Sequence, residues 1–375
     1  MTVLRGVRVV EIAALGPAPH ACTILADLGA DVLRIDRPGG QLLAGGPFDL
    51  LTRGRPSVTF DLKNPVAVQT VLDLVQSADV LIEGMRPGVM ERLGLGPEEC
   101  SAVNPRLVYG RMTGWGQDGP LATAAGHDIT YLATSGVLHG LGQDKRRPHF
   151  PANLLGDFGG GSTYLVIGVL AAVLEARRTG LGQVVDAAIV DGVAHLSTMI
   201  SGFVAAGAYI EERAANLLDG GVPYYDLYET ADAQHMAVGA LEPQFFAVLV
   251  EKLGLVGRCP RQEDVDRHGE MRELFTRAFL SRTRAEWSAI FEGTDACVAP
   301  VLTRSEAAAH PHMAARGTYL AVDGVVQPAP APRFSRSRPA SVVRESSADL
   351  VAVLGEWGIP DVDSLLASGA LVHEY

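Results

Sequence analysis

The chain has 375 residues, 47% hydrophobic and 20% charged, a mixture that supports one large globular domain, a smaller one and a sizeable core. Its 31 Lys and Arg against 43 Asp and Glu leave a formal net charge of −12, which argues against a nucleic-acid backbone as the main partner. The four cysteines, Cys22, Cys100, Cys259 and Cys297, form no C-x-x-C pair, so zinc and thioredoxin-type sites fail on spacing.

The N-terminus runs straight into a strand-like stretch with no signal-peptide pattern. The longest apolar run, residues 164–174, falls well short of the ~20 residues that span a bilayer. The expectation is a cytoplasmic protein with no membrane and no nucleic acid among its partners.

Residues 7–12 are β-rich, and the breaker Gly16-Pro17-Ala18-Pro19 follows. An apolar helix over 20–28 stops at Gly29, and a second strand covers 32–36. A helix at 66–77 and strands at 80–83 and 107–112 continue the rhythm. Alternation of this kind implies right-handed crossovers and a largely parallel sheet, which binds ligands beyond the carboxyl ends of its strands. Residues 162–178 read as a helix apolar nearly all round, hence buried, and 183–210 as a second helical segment.

The texture changes after Asp219-Gly220-Gly221. Strands at 225–229 and 235–239 flank a polar turn, and Glu242-Pro243 opens a helix closed by Gly254. The expected fold is therefore α/β. A Rossmann-like large domain covers 1–215 and 315–375, and a smaller α+β domain covers 220–310. Residues 327–340 read as an irregular connector, and 350–366 as short helices that return to the first domain.

The chain has no G-x-G-x-x-G directly following its first strand, no P-loop, no H-E-x-x-H and no G-x-S-x-G. Four constellations remain, each with a bland reading beside the chemical one. Arg34-Ile35-Asp36-Arg37-Pro38 ends the second strand, where Arg37 can bind a phosphate or simply face solvent. Gly126-His127-Asp128 offers a histidine, the commonest general base, or a structural one. In Gly156-Asp157-Phe158-Gly159-Gly160-Gly161-Ser162 the glycines can admit a ligand to free N–H groups at a helix start, with the Asp157 amide as an enolate donor. They can equally serve tight helix packing, with Asp157 a plain cap. In Gly239-Ala240-Leu241-Glu242-Pro243 a carboxylate begins a helix, for function or for the helix dipole.

Taken in order, these segments resemble the family III CoA-transferase and racemase superfamily, and within it the α-methylacyl-CoA racemases. The matching stretches include Val10-Glu11-Ile12, Asp27-Leu28-Gly29-Ala30-Asp31-Val32, Asp61-Leu62-Lys63, Arg86-Pro87-Gly88-Val89 and Glu91-Arg92-Leu93-Gly94. They run from about Leu4 to Arg336 and leave residues 39–53 unmatched.

The resemblance implies a large domain built from both chain ends, an inserted small domain, and a homodimer whose subunits interlock like chain links. It implies an acyl-CoA thioester substrate, with coenzyme A entering only as part of it, and neither a metal nor another cofactor. His127 and Asp157 would transfer the proton, with Glu242 and Arg92 in support. Arg37, Asp61, Leu62, Lys63 and Arg86 would fall in the CoA-binding region.

The implied reaction inverts C2 of a 2-methylacyl-CoA through an enolate, a base on one face and an acid on the other. The alternative is a CoA-transferase in which Asp157 is a nucleophile. Transferases of this superfamily usually carry a Gln where Ala14 stands and a glycine-rich loop near Leu241-Glu242, and this chain has neither. A non-catalytic acyl-CoA-binding protein would leave the acid and base residues without purpose.

Overall fold

The computed structural model describes residues 2–40, 48–143, 145–340 and 350–372. Residues 41–47 of the unmatched stretch 39–53 therefore lie outside the described residues. The chain divides into two compact units. One is Met1–Ser135, Pro151–Ser197 and Ala315–Tyr375; the other is Gly136–Phe150 and Thr198–Ala314. The expected boundary at 215 thus moves back to 197, and residues 136–150 also group with the second unit.

The first unit begins with β1 (Arg8–Ile12), α1 (Pro17–Asp27), β2 (Asp31–Asp36), β3 (Ser57–Thr59), α2 (Pro65–Gln76) and β4 (Val80–Glu83). It continues with α3 (Val89–Arg92), α4 (Pro97–Val103), β5 (Val108–Thr113), α5 (Asp128–Thr134), α6 (Thr163–Thr179), β6 (Val184–Ala188) and α7 (Ile189–Leu196). The six strands pair in parallel in the order β3-β2-β1-β4-β5-β6. Strand order reverses between β1 and β4, and the crevice at their carboxyl ends is where such sheets take ligands.

Residues 184–188 correct the expectation of helix over 183–210. The β-branched pair Val184-Val185 completes the sheet beside β5, and the Asp186 carboxylate accepts the Gln117 N–H at 3.0 Å.

One face of the sheet holds Val10, Leu33, Ile35, Val58, Phe60 and Leu81, packed under Val71 and Leu74 of α2. The chain's end returns to the same core. After β10 (Tyr319–Val322) and β11 (Val325–Pro328) come α14 (Leu350–Glu356) and α15 (Val362–Ala367); Leu354 and Leu365 of these helices, and Trp357 just after α14, are buried there. The Val372 N–H bonds Thr59 O at 2.9 Å, and Arg8 lies 3.9 Å over the Trp357 ring. Residues 327 and 328, expected in an irregular connector, instead pair with Leu320 and Tyr319.

Glu11 sits fully buried in mid-strand β1. Its Oε1 accepts from Arg34 Nη1 at 2.7 Å and its Oε2 faces Arg55 Nε at 3.0 Å. Burial pushes its carboxyl up, against the pull of Arg55 and Arg34. Removing one partner of so buried a group would strand the other charge. Arg34 therefore belongs to the core, and in Arg34-Ile35-Asp36-Arg37 it is Arg37 that stays exposed.

A π-helical segment, Leu154–Ser162, runs without a break into α6. The combined helix, Leu154–Thr179, is long and apolar enough to cross a membrane by length and composition. The expectation from residues 164–174 alone missed this, because the π segment adds nine residues. In the fold α6 lies on the sheet: a Cβ at Gly110 of β5 would meet Leu165 and Val169 at 3.1 and 3.2 Å.

The second unit contains α8 (Thr198–Ala205) and an antiparallel sheet of β7 (Tyr225–Glu229), β8 (His235–Gly239) and β9 (Val298–Pro300). Between β8 and β9 lie α9 (Pro243–Lys252), α10 (His268–Phe279) and α11 (Arg284–Phe291); α12 (Arg304–Ala309) and α13 (Pro311–Arg316) follow. Tyr228, Met236, Phe246, Leu249, Phe275 and Trp287 form a separate core.

Candidate active site

Parallel strands end on the same edge of a sheet, and that edge gathers most of the candidate residues. Arg37 follows β2, Asp61-Leu62-Lys63 follow β3, Arg86 and Arg92 follow β4, and His127 follows β5. The parallel pairing expected from the sequence creates this shared edge.

The segment after β5 is held by a ring wedged between glycines. Tyr131 of α5 is buried, and its ring fills the space a side chain would need at both Gly114 and Gly126. Trp115 meets that ring edge-on at 4.9 Å. His127 caps α5 in an extended conformation; its N–H donates to Thr130 Oγ1 at 3.0 Å, and its carbonyl accepts from the Thr130 N–H at 2.8 Å. Its side chain is exposed, while Asp128 beside it is buried.

Asp157 lies half-buried on the π segment, which packs against α1, α5 and α7. Gly16, at φ +71°, leaves room beside the carboxylate: a Cβ there would lie 3.5 Å from Asp157 Oδ2. Asn153 Nδ2 donates to the same oxygen at 3.3 Å. Burial raises the Asp157 carboxyl above its ordinary value; Asn153 pulls it down, the Asp128 charge pushes it up and His127 pulls it down. The His127 ring is thus within electrostatic reach of Asp157.

Two readings of the glycine-rich run need correction. The Asp157 N–H is not a free enolate donor, because Asp128 Oδ1 takes it at 2.7 Å. The glycines do not open the backbone to a ligand either. A Cβ at Gly160 would strike Val193 N at 2.8 Å, and one at Gly161 would meet Ile189 at 3.0 Å. Close packing under α7 and α1 is what they serve.

Arg111 steadies the approach to Arg92. Its guanidinium bonds Glu83 Oε1 at 3.0 Å and Glu91 Oε1 at 2.8 Å, fixing α3 against β5. Burial raises the Glu83 carboxyl to about 7, although the Met85 N–H and Arg111 both pull it down. Arg92 itself is exposed at the end of α3.

Among the CoA candidates, Arg37, Lys63 and Arg86 are exposed cations. Asp61 spends Oδ1 on the Lys63 N–H at 3.1 Å, shaping the turn, and Leu62 packs against the core. These two are structural in what they touch.

Glu242 lies in the second unit, exposed at the start of α9, where its side chain caps no helical amide. The sequence reading assigned no role to Asp128 or Tyr131. Asp128 was legible only as the neighbour of His127, and Tyr131 only as an aromatic four residues further on.

Residues 4–346 match the CoA-transferase family III, and the chain belongs to that family. It is 45% identical over 370 residues to the α-methylacyl-CoA racemase of Mus musculus, covering 97% of this chain and 95% of that one. Against the α-methylacyl-CoA racemase of Homo sapiens the identity is 44% over 333 residues, 88% and 86% of the two chains. The crystal structure of a CaiB/BaiF family protein from Brucella suis superposes with a TM-score of 0.82 at 26% identity, covering 95% of this chain and 99% of the other.

Proposed function

We propose that this chain is an α-methylacyl-CoA racemase that inverts C2 of 2-methylacyl-CoA thioesters by moving a proton between His127 and Asp157. The observation that carries the mechanism is the Asp157 carboxyl, raised by burial and by Asp128, within electrostatic reach of His127 at the switch-point edge of the sheet. The 44–45% identity to two racemases supports the same reading.

The hydrogen α to a thioester is weakly acidic, so its removal needs a base on one face and a donor on the other. Neutral imidazole with protonated Asp157 serves one enantiomer; imidazolium with carboxylate serves the other. Both states hold one proton on the pair, and burial raises the Asp157 carboxyl, which favours the state in which Asp157 carries it. Arg37, Lys63 and Arg86 are the cations suited to the CoA phosphates, while Arg92 supports the pair. The enolate oxygen finds its donors elsewhere than the Asp157 amide, which Asp128 occupies.

The test is to incubate purified protein with each enantiomer of a 2-methylacyl-CoA in deuterated water, without any acceptor acid. Deuterium should enter at C2 while the enantiomers interconvert. CoA transfer to an added carboxylic acid with no C2 exchange would replace this reading by a transferase.

The active species is an interlocked homodimer. Ile167, Ala171 and Leu174 form an exposed apolar stripe at i, i+4 and i+7 on α6, with Ile167 58% and Leu174 70% accessible. Sedimentation should therefore give about 79 kDa, twice 39.6 kDa. A fully active species of single-chain mass would refute the dimer.

A further inference from the structure

We infer that Asp128 is a positioning residue, a buried strut that joins the two members of the proton-transfer pair and holds Asp157 in place. It rests on the racemase reading above.

The geometry is specific to this side chain. Asp128 follows His127 directly, so its backbone shares the start of α5. Its carboxylate reaches 29 positions along the chain to accept the Asp157 N–H at 2.7 Å. Gly156 is what permits so close an approach: a Cβ there would lie 2.2 Å from Asp128 Oδ1. A bond between buried carboxylate and backbone amide is charge-assisted, shorter and stronger than a neutral one. The one side chain therefore fixes the separation between His127 and Asp157.

Asp128 costs the protein something that mere packing would not require. It is 6% exposed, and its Oδ2 is buried with no hydrogen-bond partner. A buried carboxylate half-satisfied in this way destabilises the fold, and such groups concentrate where function needs them. The negative charge also acts on its neighbour, favouring the protonated form of Asp157.

Among the described residues, α1, α5 and α7, which pack on the π segment, carry several further titratable groups. α5 supplies Tyr131, with His127 at its start. α1 supplies His20, whose ring lies 4.4 Å from Phe158 and whose Nδ1 pairs with Ser162 Oγ at 2.6 Å. α7 supplies Asp191 and His195, the latter bonded to Tyr164 at 2.7 Å. Of these, His127 opposes the effect of Asp128 on Asp157.

Two variants separate tether from charge, assayed by deuterium entry and inversion beside the parent enzyme. Asp128→Ala removes both; kcat should fall about 100-fold, the cost of misplacing a reacting group by about 1 Å, with KM nearly unchanged. Asp128→Asn keeps a carbonyl oxygen for the Asp157 N–H and loses the charge. It should retain most of kcat, while the acid limb of its kcat/KM profile moves to lower pH. A role confined to fold stability would lower the melting temperature without moving that limb.

Parental kcat in Asp128→Ala, or an unmoved acid limb in Asp128→Asn, overturns the inference while leaving the racemase reading intact. If Asp128→Ala does not fold, the limb in Asp128→Asn decides. Absence of C2 exchange in the parent enzyme overturns the racemase reading, and this inference with it.

Discussion

His127→Ala and Asp157→Ala should each abolish inversion yet leave exchange at C2 with opposite enantiomeric preference. If each residue guards one face, the His127→Ala enzyme still holds a carboxylate able to take the proton of the enantiomer presented to Asp157. Deuterium then returns from solvent to the face it left, so that enantiomer exchanges without inverting. Asp157→Ala shows the complementary pattern through the imidazole. A general acid or base contributes about 100- to 10,000-fold, so residual exchange should fall by a factor in that range.

The loss of charge at Asp157 has a second consequence. Its carboxyl is raised by burial, so protonation is favoured in the folded state, and the stability this contributes is full below the unfolded value and lost as pH rises through the folded one. Asp157→Asn should accordingly gain stability relative to the parent at neutral pH while losing inversion. Following exchange and inversion separately for each variant and enantiomer settles the matter. Equal exchange of both enantiomers by both variants would mean that neither residue guards a face, and a hydroxylamine-sensitive adduct on Asp157 would mean nucleophilic chemistry.

Much of the large unit was legible because its strands carry their own signals. Val9-Val10, Val32-Leu33 and Val80-Leu81-Ile82 are β-branched or aliphatic runs bounded by Pro and Gly breakers, and they became strands β1, β2 and β4. Residues 184–188 were misread because Asp186-Ala187-Ala188 has no β preference of its own; pairing with Tyr109 to Thr113 makes it a strand. The returning β11 escaped notice for a similar reason, since Pro328 forbids a central strand but is tolerated in a two-stranded pair. Within the candidate site, His127 and Asp157 stood out by residue type and by family resemblance. Asp128 did not, because its function lies in a bond to a residue 29 positions away, which no local pattern encodes.

The glycines of the π segment carry the other large effect. In α7, Gly192 crosses the π segment so closely that a Cβ would meet Gly160 O at 1.8 Å, and the Gly160 Cβ position is 2.6 Å from Val193 Cγ2. The obstacle at Gly192 is backbone, so no rotamer change relieves it. Either α7 or the π segment must move, and each is buried against the other. Overpacking costs about 1–3 kcal/mol where side chains can yield; a clash with a carbonyl oxygen belongs at or above the top of that range. Gly192→Ala should therefore lower the urea midpoint by an amount equivalent to about 3 kcal/mol and reduce kcat about 100-fold, because the displaced segment carries Asp157. Gly269→Ala is the control: it lies in α10 with nothing within 4 Å of its added Cβ, and should leave both quantities unchanged or stability slightly raised. A Gly192→Ala enzyme with parental midpoint and kcat would show that the two helices part without cost, and that the glycine run serves some purpose other than this crossing.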